Sequence, residues 1–298
     1  MSTNLPVVVI TGSSSGFGRL FAEKFARNGY SVFATMRGAS GKNAKSAENL
    51  RALAAQDALP IEVMEMDVTN EESVNACVAA VVSKAGRIDV LINNAGFAYV
   101  DLMEAITIEQ AKKIFDTNVF GVQRTMRAAL PQMHKQKSGL VMQISSGAGR
   151  VVFPCFGIYN ASKFALEALT EAYRYELAEC GIDCVSLEPG AYKTEIFGKI
   201  DRGDDAARLA SYRGMAAVPE KMHSTVAGIA GDPNEVADAA LEIAQTPFGK
   251  RQLRYRIGSG GPGVVEINKL TDQVQAQLLQ AFGLSELTKQ ASGSSANA

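Results

Sequence analysis

Tyr159 and Lys163 stand four residues apart at the start of an amphipathic stretch running from Ile158 to Cys180. On a helix that spacing puts both side chains on one face, with Cβ atoms about 5–6 Å apart. At an effective dielectric of ~20 and a separation of ~5 Å, an ammonium favours a neighbouring phenolate by ~3 kcal/mol. That predicts a tyrosine pKa lowered by ~2 units from ~10. Such a hydroxyl can exchange a proton with an alcohol or a carbonyl near neutral pH. Any amphipathic helix can contain Tyr-x-x-x-Lys, so the pair acquires meaning only from the rest of the chain.

A second chemical feature lies near the start. The apolar run Val7 to Ile10 leads directly into Thr11-Gly12-Ser13-Ser14-Ser15-Gly16-Phe17-Gly18, where a helical pattern begins. Glycines at a strand-to-helix turn let backbone approach a pyrophosphate, and the helix N-terminus supplies N–H groups and a positive dipole. The spacing is Gly-x-x-x-Gly-x-Gly, and its placement after a first strand predicts dinucleotide binding. The same residues also fit Gly-x-Ser-x-Gly, the elbow of serine hydrolases, with Ser14 as nucleophile. That alternative needs a downstream acid and then a histidine, and only His134 and His223 exist. A carboxylate about 20 residues past the glycines would mark NAD. Here the second strand ends Ala34-Thr35-Met36-Arg37, and Lys24 to Ala47 holds no acid but contains Lys24, Arg27, Arg37, Lys42 and Lys45. A guanidinium binds a 2′-phosphate that a carboxylate would repel, so the pattern predicts NADP(H).

The elements that must position these groups alternate along most of the chain. Val7 to Ile10, Ser31 to Thr35, Ile61 to Met66, Ile88 to Ile92, Leu140 to Ile144, Asp183 to Leu187 and Leu253 to Ile257 read as buried strands. Between them lie amphipathic segments at 17–28, 46–58, 71–84, 108–135, 158–180 and 234–246. Near-continuous apolar strands separated by helices predict an α/β fold, a doubly wound seven-stranded parallel sheet flanked by helices on both faces. With no internal repeat and no dividing linker, residues 1–298 are expected to form one catalytic domain. Residues 191–231 form a long insertion with apolar anchors (Tyr192, Ile196, Phe197, Tyr212, Met215, Met222), expected to be a substrate lid. A C-terminal extension spans about 259–298, with a glycine-rich hinge, a helix over 264–282 and a Ser/Ala/Gly-rich tail expected to be disordered.

Over about residues 5–258 the sequence resembles the short-chain dehydrogenase/reductase family in its compact form. The matching residues are Thr11 to Gly18, Asp67-Val68, Asn93-Asn94-Ala95-Gly96, Asn118, Ser146, Tyr159 to Lys163, and Pro189-Gly190 followed by Thr194. The resemblance implies a Rossmann fold with Asn118, Ser146, Tyr159 and Lys163 as the catalytic set. Tyr159 would be the general acid in ketone reduction and the general base in alcohol oxidation. Lys163 would lower its pKa and hold the nicotinamide ribose. Ser146 would hold the substrate oxygen, its neighbour Ser145 being the near miss, and Asn118 would hold a water linking Lys163 to solvent. Gly12, Ser14, Ser15, Gly16, Phe17 and Gly18 would cradle the pyrophosphate, and Arg37 would take the 2′-phosphate. Asp67 and Val68 would contact adenine, with Asn94, Ala95 and Gly96 along the adenosine side. Thr194, with backbone from Pro189 and Gly190, would fix the carboxamide. The Ala-Thr-x-Arg strand end, the Pro-Gly-x-x-x-Thr-x-x-Phe segment and Leu253-Arg254-Tyr255 are similar to hydroxysteroid and retinol dehydrogenases. Relatives commonly form homodimers or homotetramers through the helices after Asn118 and Tyr159, so a homo-oligomer is expected.

Composition narrows the field. Thirty Lys plus Arg against 31 Asp plus Glu give a net charge of −1, which disfavours a nucleic-acid binder. No apolar run approaches a membrane span and no leader pattern opens the chain, so a cytoplasmic protein without membrane partners is expected. Four cysteines and two histidines leave little for a metal site, and none is expected. Cys184 reads as a buried strand residue and Cys155 as a small apolar filler in the pocket wall. Phe97 to Val100, Phe153 to Phe156 and the lid aromatics would line the reacting centre. No cluster of Arg or Lys lies in these segments, so the expected substrate is a small hydrophobic ketone, aldehyde or alcohol. A non-catalytic NADP-binding regulator of the same fold is the other alternative.

Overall fold

The computed structural model describes residues 5–192, 201–228, 230–258 and 262–289. Thr194, with Ile196 and Phe197 of the expected lid, residues 259–261 of the glycine-rich hinge and the Ser/Ala/Gly tail lie outside the described residues.

The first half alternates strand and helix: β1 (Val7–Ile10), α1 (Gly16–Arg27), β2 (Ser31–Met36), α2 (Ala44–Gln56), β3 (Ile61–Glu65), α3 (Glu71–Ala85) and β4 (Val90–Asn93). Next come α4 (Ile108–Phe115), α5 (Gly121–Gln136), β5 (Gly139–Ile144), α6 (Gly157–Glu176) and β6 (Ile182–Pro189). The insertion carries α7 (Ala206–Leu209) and α8 (Val218–Gly228), and α9 (Asn234–Gln245), β7 (Arg254–Ile257), α10 (Pro262–Ala281) and α11 (Glu286–Lys289) complete the chain. The seven strands form one parallel sheet in the order β3-β2-β1-β4-β5-β6-β7. The order reverses beside β1, opening a crevice at the C-terminal strand ends where such sheets bind ligands.

Strand periodicity divides the core. Val8 and Ile10 face one layer with Phe21, Phe25, Leu50, Val236 and Ile243, so α1, α2 and α9 cover that side. Val7 and Val9 face the other with Val74, Val78, Met126, Met133 and Leu166, covered by α3, α5 and α6. Cys184 is fully buried in this second layer, as expected. Local signals fix the helix ends: Asn70 accepts from the Ser73 N–H at the start of α3, and Gly86 closes that helix at φ +72°. Thr107 and Gln110 form a capping box on α4.

The expected single helix over 108–135 is instead broken. Residues Asp116–Phe120 form a π-helical turn between α4 and α5. The turn carries an extra residue, a local widening that periodicity alone does not reveal. It directs Asn118 into the interior, where the residue is 1% exposed.

Polar contacts attach the C-terminal extension. Asn268 on α10 donates to Glu188 Oε2 at 2.7 Å, and Arg150 donates to Thr271 Oγ1 at 2.6 Å. Arg254 bridges Glu171 and Asp272, and Gln275 donates to Glu171. The outer face of α10 exposes Leu270, Val274 and Leu278.

Candidate active site

All the expected site residues within the described part except Asn118 gather at one edge of the sheet, because each follows the C-terminal end of a strand or begins the next helix. Gly12 to Gly18 follow β1, Arg37 follows β2, Asp67 and Val68 follow β3, and Asn94 to Gly96 follow β4. Ser146 follows β5, Tyr159 and Lys163 lie in the first turns of α6, and Pro189 and Gly190 end β6.

The cradle after β1 has no room for side chains at two of its glycines. A Cβ on Gly18 would lie 2.4 Å from the Gly12 carbonyl oxygen and 2.6 Å from Asn94 Nδ2. On Gly12, already at φ +71°, it would lie 2.8 Å from Ala95 Cα. The closeness is held by cross-strand bonds. Asn94 Nδ2 donates to the Thr11 and Gly12 carbonyls at 2.9 and 3.1 Å, and Thr11 Oγ1 accepts the Asn94 and Ala95 N–H groups, both at 3.0 Å. Helix α1 starts here with no acid in its first turn, leaving its positive end uncompensated by side-chain charge. Phe17 packs edge-on against Tyr192, with ring centroids 5.7 Å apart.

After β3, burial opposes ionisation of Asp67. Hydrogen bonds from Thr69 and the charges of Arg37 and Lys42 outweigh it and hold the carboxyl below its ordinary range. Arg37 itself is exposed. Val68 is buried against Gly121, where a Cβ would lie 2.9 Å from Val68 Cγ2.

Around Tyr159, Ser146 is near enough to the hydroxyl to lower its pKa, and it accepts from the Ala148 N–H at 3.1 Å. Lys163 Nζ sits 5.8 Å from the Tyr159 ring centroid and donates to the Ile144 carbonyl at 2.7 Å. The titration differs from the sequence expectation. Burial pushes the Tyr159 hydroxyl above the ordinary phenol range, while neighbouring Ser146 pulls the other way. Burial lowers Lys163 to about 8, with Glu167 opposing. Sequence spacing shows the neighbouring ammonium but not desolvation, which penalises both charged forms. Asn118 is fixed by three bonds. Its Nδ2 donates to the Phe97 carbonyl at 3.0 Å and to Ser162 Oγ at 3.1 Å, and its Oδ1 accepts the Phe97 N–H at 3.1 Å. Ser162 in turn donates to the Tyr159 carbonyl at 2.7 Å, so Asn118 braces the first turn of α6.

The wall above this centre is apolar. Val100, Leu102 and Cys155 cluster with Phe156 and with Leu209, Tyr212 and Val218 of the insertion. Phe156 also meets Tyr159 edge-on, with centroids 6.2 Å apart. Cys155 fills the wall as expected, with an added feature, a left-handed φ of +66°. Asp101 anchors the insertion by accepting from Arg202 Nε at 2.9 Å and from the Gly203 N–H at 3.1 Å. The hydrolase alternative loses His134 as a base, since that residue ends α5, which leads into the N-terminal end of β5, across the sheet from Ser14; the His223 side chain lies outside the described residues.

Sequence reasoning passed over three residues. Thr11 lay inside the quoted motif, but its role as acceptor for two β4-loop amides requires the β1–β4 pairing. Asp101 and Glu65 are single acids whose partners, Arg202 and Gly203 for the first and the Gly38 and Ala39 amides for the second, are set by topology and register.

A family model described as short chain dehydrogenase matches residues 6–205. The uncharacterized oxidoreductase YusZ of Bacillus subtilis is 37% identical over 265 residues, 86% of this chain and 90% of that protein. Estradiol 17-beta-dehydrogenase 1 of Rattus norvegicus is 34% identical over 257 residues, 84% of this chain and 72% of that protein. Among solved structures, a short-chain dehydrogenase from Streptomyces avermitilis superposes with a TM-score of 0.71 at 33% identity, covering 95% of this chain and 98% of that one. A Burkholderia phymatum short chain dehydrogenase/reductase in complex with NAD gives 0.73 at 25% identity, covering 93% and 96%. An alcohol dehydrogenase of Thermococcus sibiricus complexed with 5-hydroxy-NADP gives 0.69 at 25% identity, covering 85% and 96%.

Proposed function

The chain belongs to the short-chain dehydrogenase family, and from that premise we propose that it is an NADP(H)-dependent oxidoreductase interconverting a hydrophobic ketone or aldehyde with its alcohol. The observation that carries this reading is the meeting of Tyr159, Ser146 and Lys163 at the same sheet edge as the side-chain-free cradle at Gly12 and Gly18. The cradle fits a dinucleotide pyrophosphate: Gly12 and Gly18 let the turn after β1 close tightly on Asn94 and Ala95, and the N-terminus of α1 begins there.

When bound, NADP(H) supplies or accepts the hydride. Tyr159 gives its hydroxyl proton to the carbonyl oxygen in reduction and removes the alcohol proton in oxidation. Ser146, near enough to that hydroxyl to lower its pKa, holds the substrate oxygen beside it. Lys163 supplies positive charge near the phenol and hydrogen-bonds the nicotinamide ribose hydroxyls. Asn118 holds the proton-relay water with its backbone carbonyl, since its side chain is already engaged. Ser14, Ser15, Gly16 and Phe17 complete the cradle, Asp67, Val68 and Asn94 to Gly96 border the adenosine, and Arg37 takes the 2′-phosphate. Pro189, Gly190 and Thr194 hold the carboxamide. The Val100, Leu102, Cys155 and Phe156 wall and the insertion above it select an apolar substrate, in keeping with the estradiol-acting relative. The working protein is a cytoplasmic homodimer or homotetramer.

The test is NADPH-dependent reduction across a panel of hydrophobic ketones and aldehydes. Tyr159→Phe should lower kcat/KM by about 10²–10⁴-fold while leaving NADPH binding intact. Turnover that survives the substitution refutes the assignment.

A further inference from the structure

Two neighbouring backbone amides at the end of β2 are aimed at a single anion. The Gly38 N–H donates to Glu65 Oε1 at 2.6 Å, and the Ala39 N–H donates to Glu65 Oε2 at 2.7 Å. Gly38 is at φ +61°, the left-handed conformation that turns successive amides toward one side. Register explains the seating: Met36 and Glu65 are paired residues at the ends of β2 and β3, so the carboxylate faces the turn after Arg37. Asn43 Nδ2 holds that turn from the far side, donating to the Arg37 carbonyl at 2.7 Å. Arg37 and Lys42 both act on Asp67, two residues beyond Glu65, so the basic side chains and the amide pair share one small region.

This region is where the proposed function puts the 2′-phosphate, and the inference rests on that reading. The chain's own carboxylate already occupies the best pair of backbone donors there. A 2′-phosphate arriving beside Arg37 meets a like charge and must displace it to reach the amides. A ribose 2′-hydroxyl meets an acceptor, the role usually filled by an acid at the end of β2, a position held here by Met36. We propose that Glu65 is a specificity-determining counterweight to Arg37, lowering the preference for a 2′-phosphorylated cofactor and supporting binding of the unphosphorylated one.

Calorimetric titration with 2′,5′-ADP and 5′-AMP isolates this subsite from the nicotinamide end. In Glu65→Gln the amide oxygen can still accept from the turn while the charge is gone. It should bind 2′,5′-ADP about five- to tenfold more tightly, the scale of one or two exposed charge contacts, with 5′-AMP unchanged or slightly weaker. The ratio for NADPH over NADH should move the same way. Equal weakening of both ligands would make Glu65 a loop brace only, and an unchanged ratio would remove it from specificity altogether. Either result overturns the proposal. Arg37→Ala measured alongside separates the two readings. If Arg37→Ala leaves the ratio unchanged, the 2′-phosphate assignment itself fails. If Arg37→Ala collapses the ratio and Glu65→Gln does not raise it, only the counterweight fails.

Discussion

Glu188 offers a stringent test of how α10 is held. It is fully buried at the end of β6, next to Pro189 and Gly190. Burial first, and then the charge of Glu167, raise its pKa from 4.5 to about 7, against the Asn268 hydrogen bond and the attraction of Arg150 and Arg254. Asn268 Nδ2 donates to one carboxyl oxygen, while Glu188 Oε1 and Asn268 Oδ1 are both buried acceptors without a hydrogen-bond partner among the described residues. A proton on Glu188 supplies the donor this pair lacks. Because the folded state holds that proton more tightly than the unfolded chain, this contribution is fully present below pH ~4.5 and is lost as pH rises through about 7. A shift of about 2.5 units corresponds to ~3 kcal/mol. Glu188→Gln is shaped like the protonated acid and does not titrate. Chemical denaturation of both proteins from pH 5 to 8.5 should show nearly equal stability at the acid end and a Gln variant about 2–3 kcal/mol more stable at pH 8. A stability difference that does not vary with pH, or a Gln variant weaker at pH 8, refutes the reasoning.

Three other outcomes are expected. Gly18→Ala forces a Cβ against the Gly12 carbonyl and Asn94, so dinucleotide binding measured by NADPH fluorescence should fall at least tenfold, with a stability loss of about 1–3 kcal/mol in thermal unfolding. Since Lys163 loses its proton near pH 8, kcat/KM for ketone reduction should decline as pH rises through that value. Thr11→Val removes the acceptor for the Asn94 and Ala95 amides and should cost about 1–3 kcal/mol, read by denaturant unfolding, whereas Thr11→Ser should restore most of it.

The sheet was legible because buried parallel strands are written as short apolar runs between amphipathic helices. Each of the seven expected strands is present, with ends moved by a residue or two. Gly12, Gly18 and Asn94 were legible from their motifs, and the structure adds the reason they meet. Asn118 was legible as a residue type but not as a π-helical one, since one extra residue in a turn leaves apolar spacing almost unchanged. The acidity of Tyr159 was misjudged because spacing shows a neighbouring charge and conceals desolvation. Glu65 and Glu188 were invisible for another reason. Their partners, the turn after β2 and a residue of α10, lie 26 or more positions away in sequence and are brought close only by register and packing.

The bonds from Thr11 and Asn94 across β1 and β4 are made entirely by the chain's own groups, so ordering the cradle is part of folding the sheet. A cradle braced by its own chain leaves less ordering to be done at the moment of capture. Affinity differences among cofactors and among variants at Arg37 or Glu65 should therefore appear mainly as residence times, with arrival rates nearly constant.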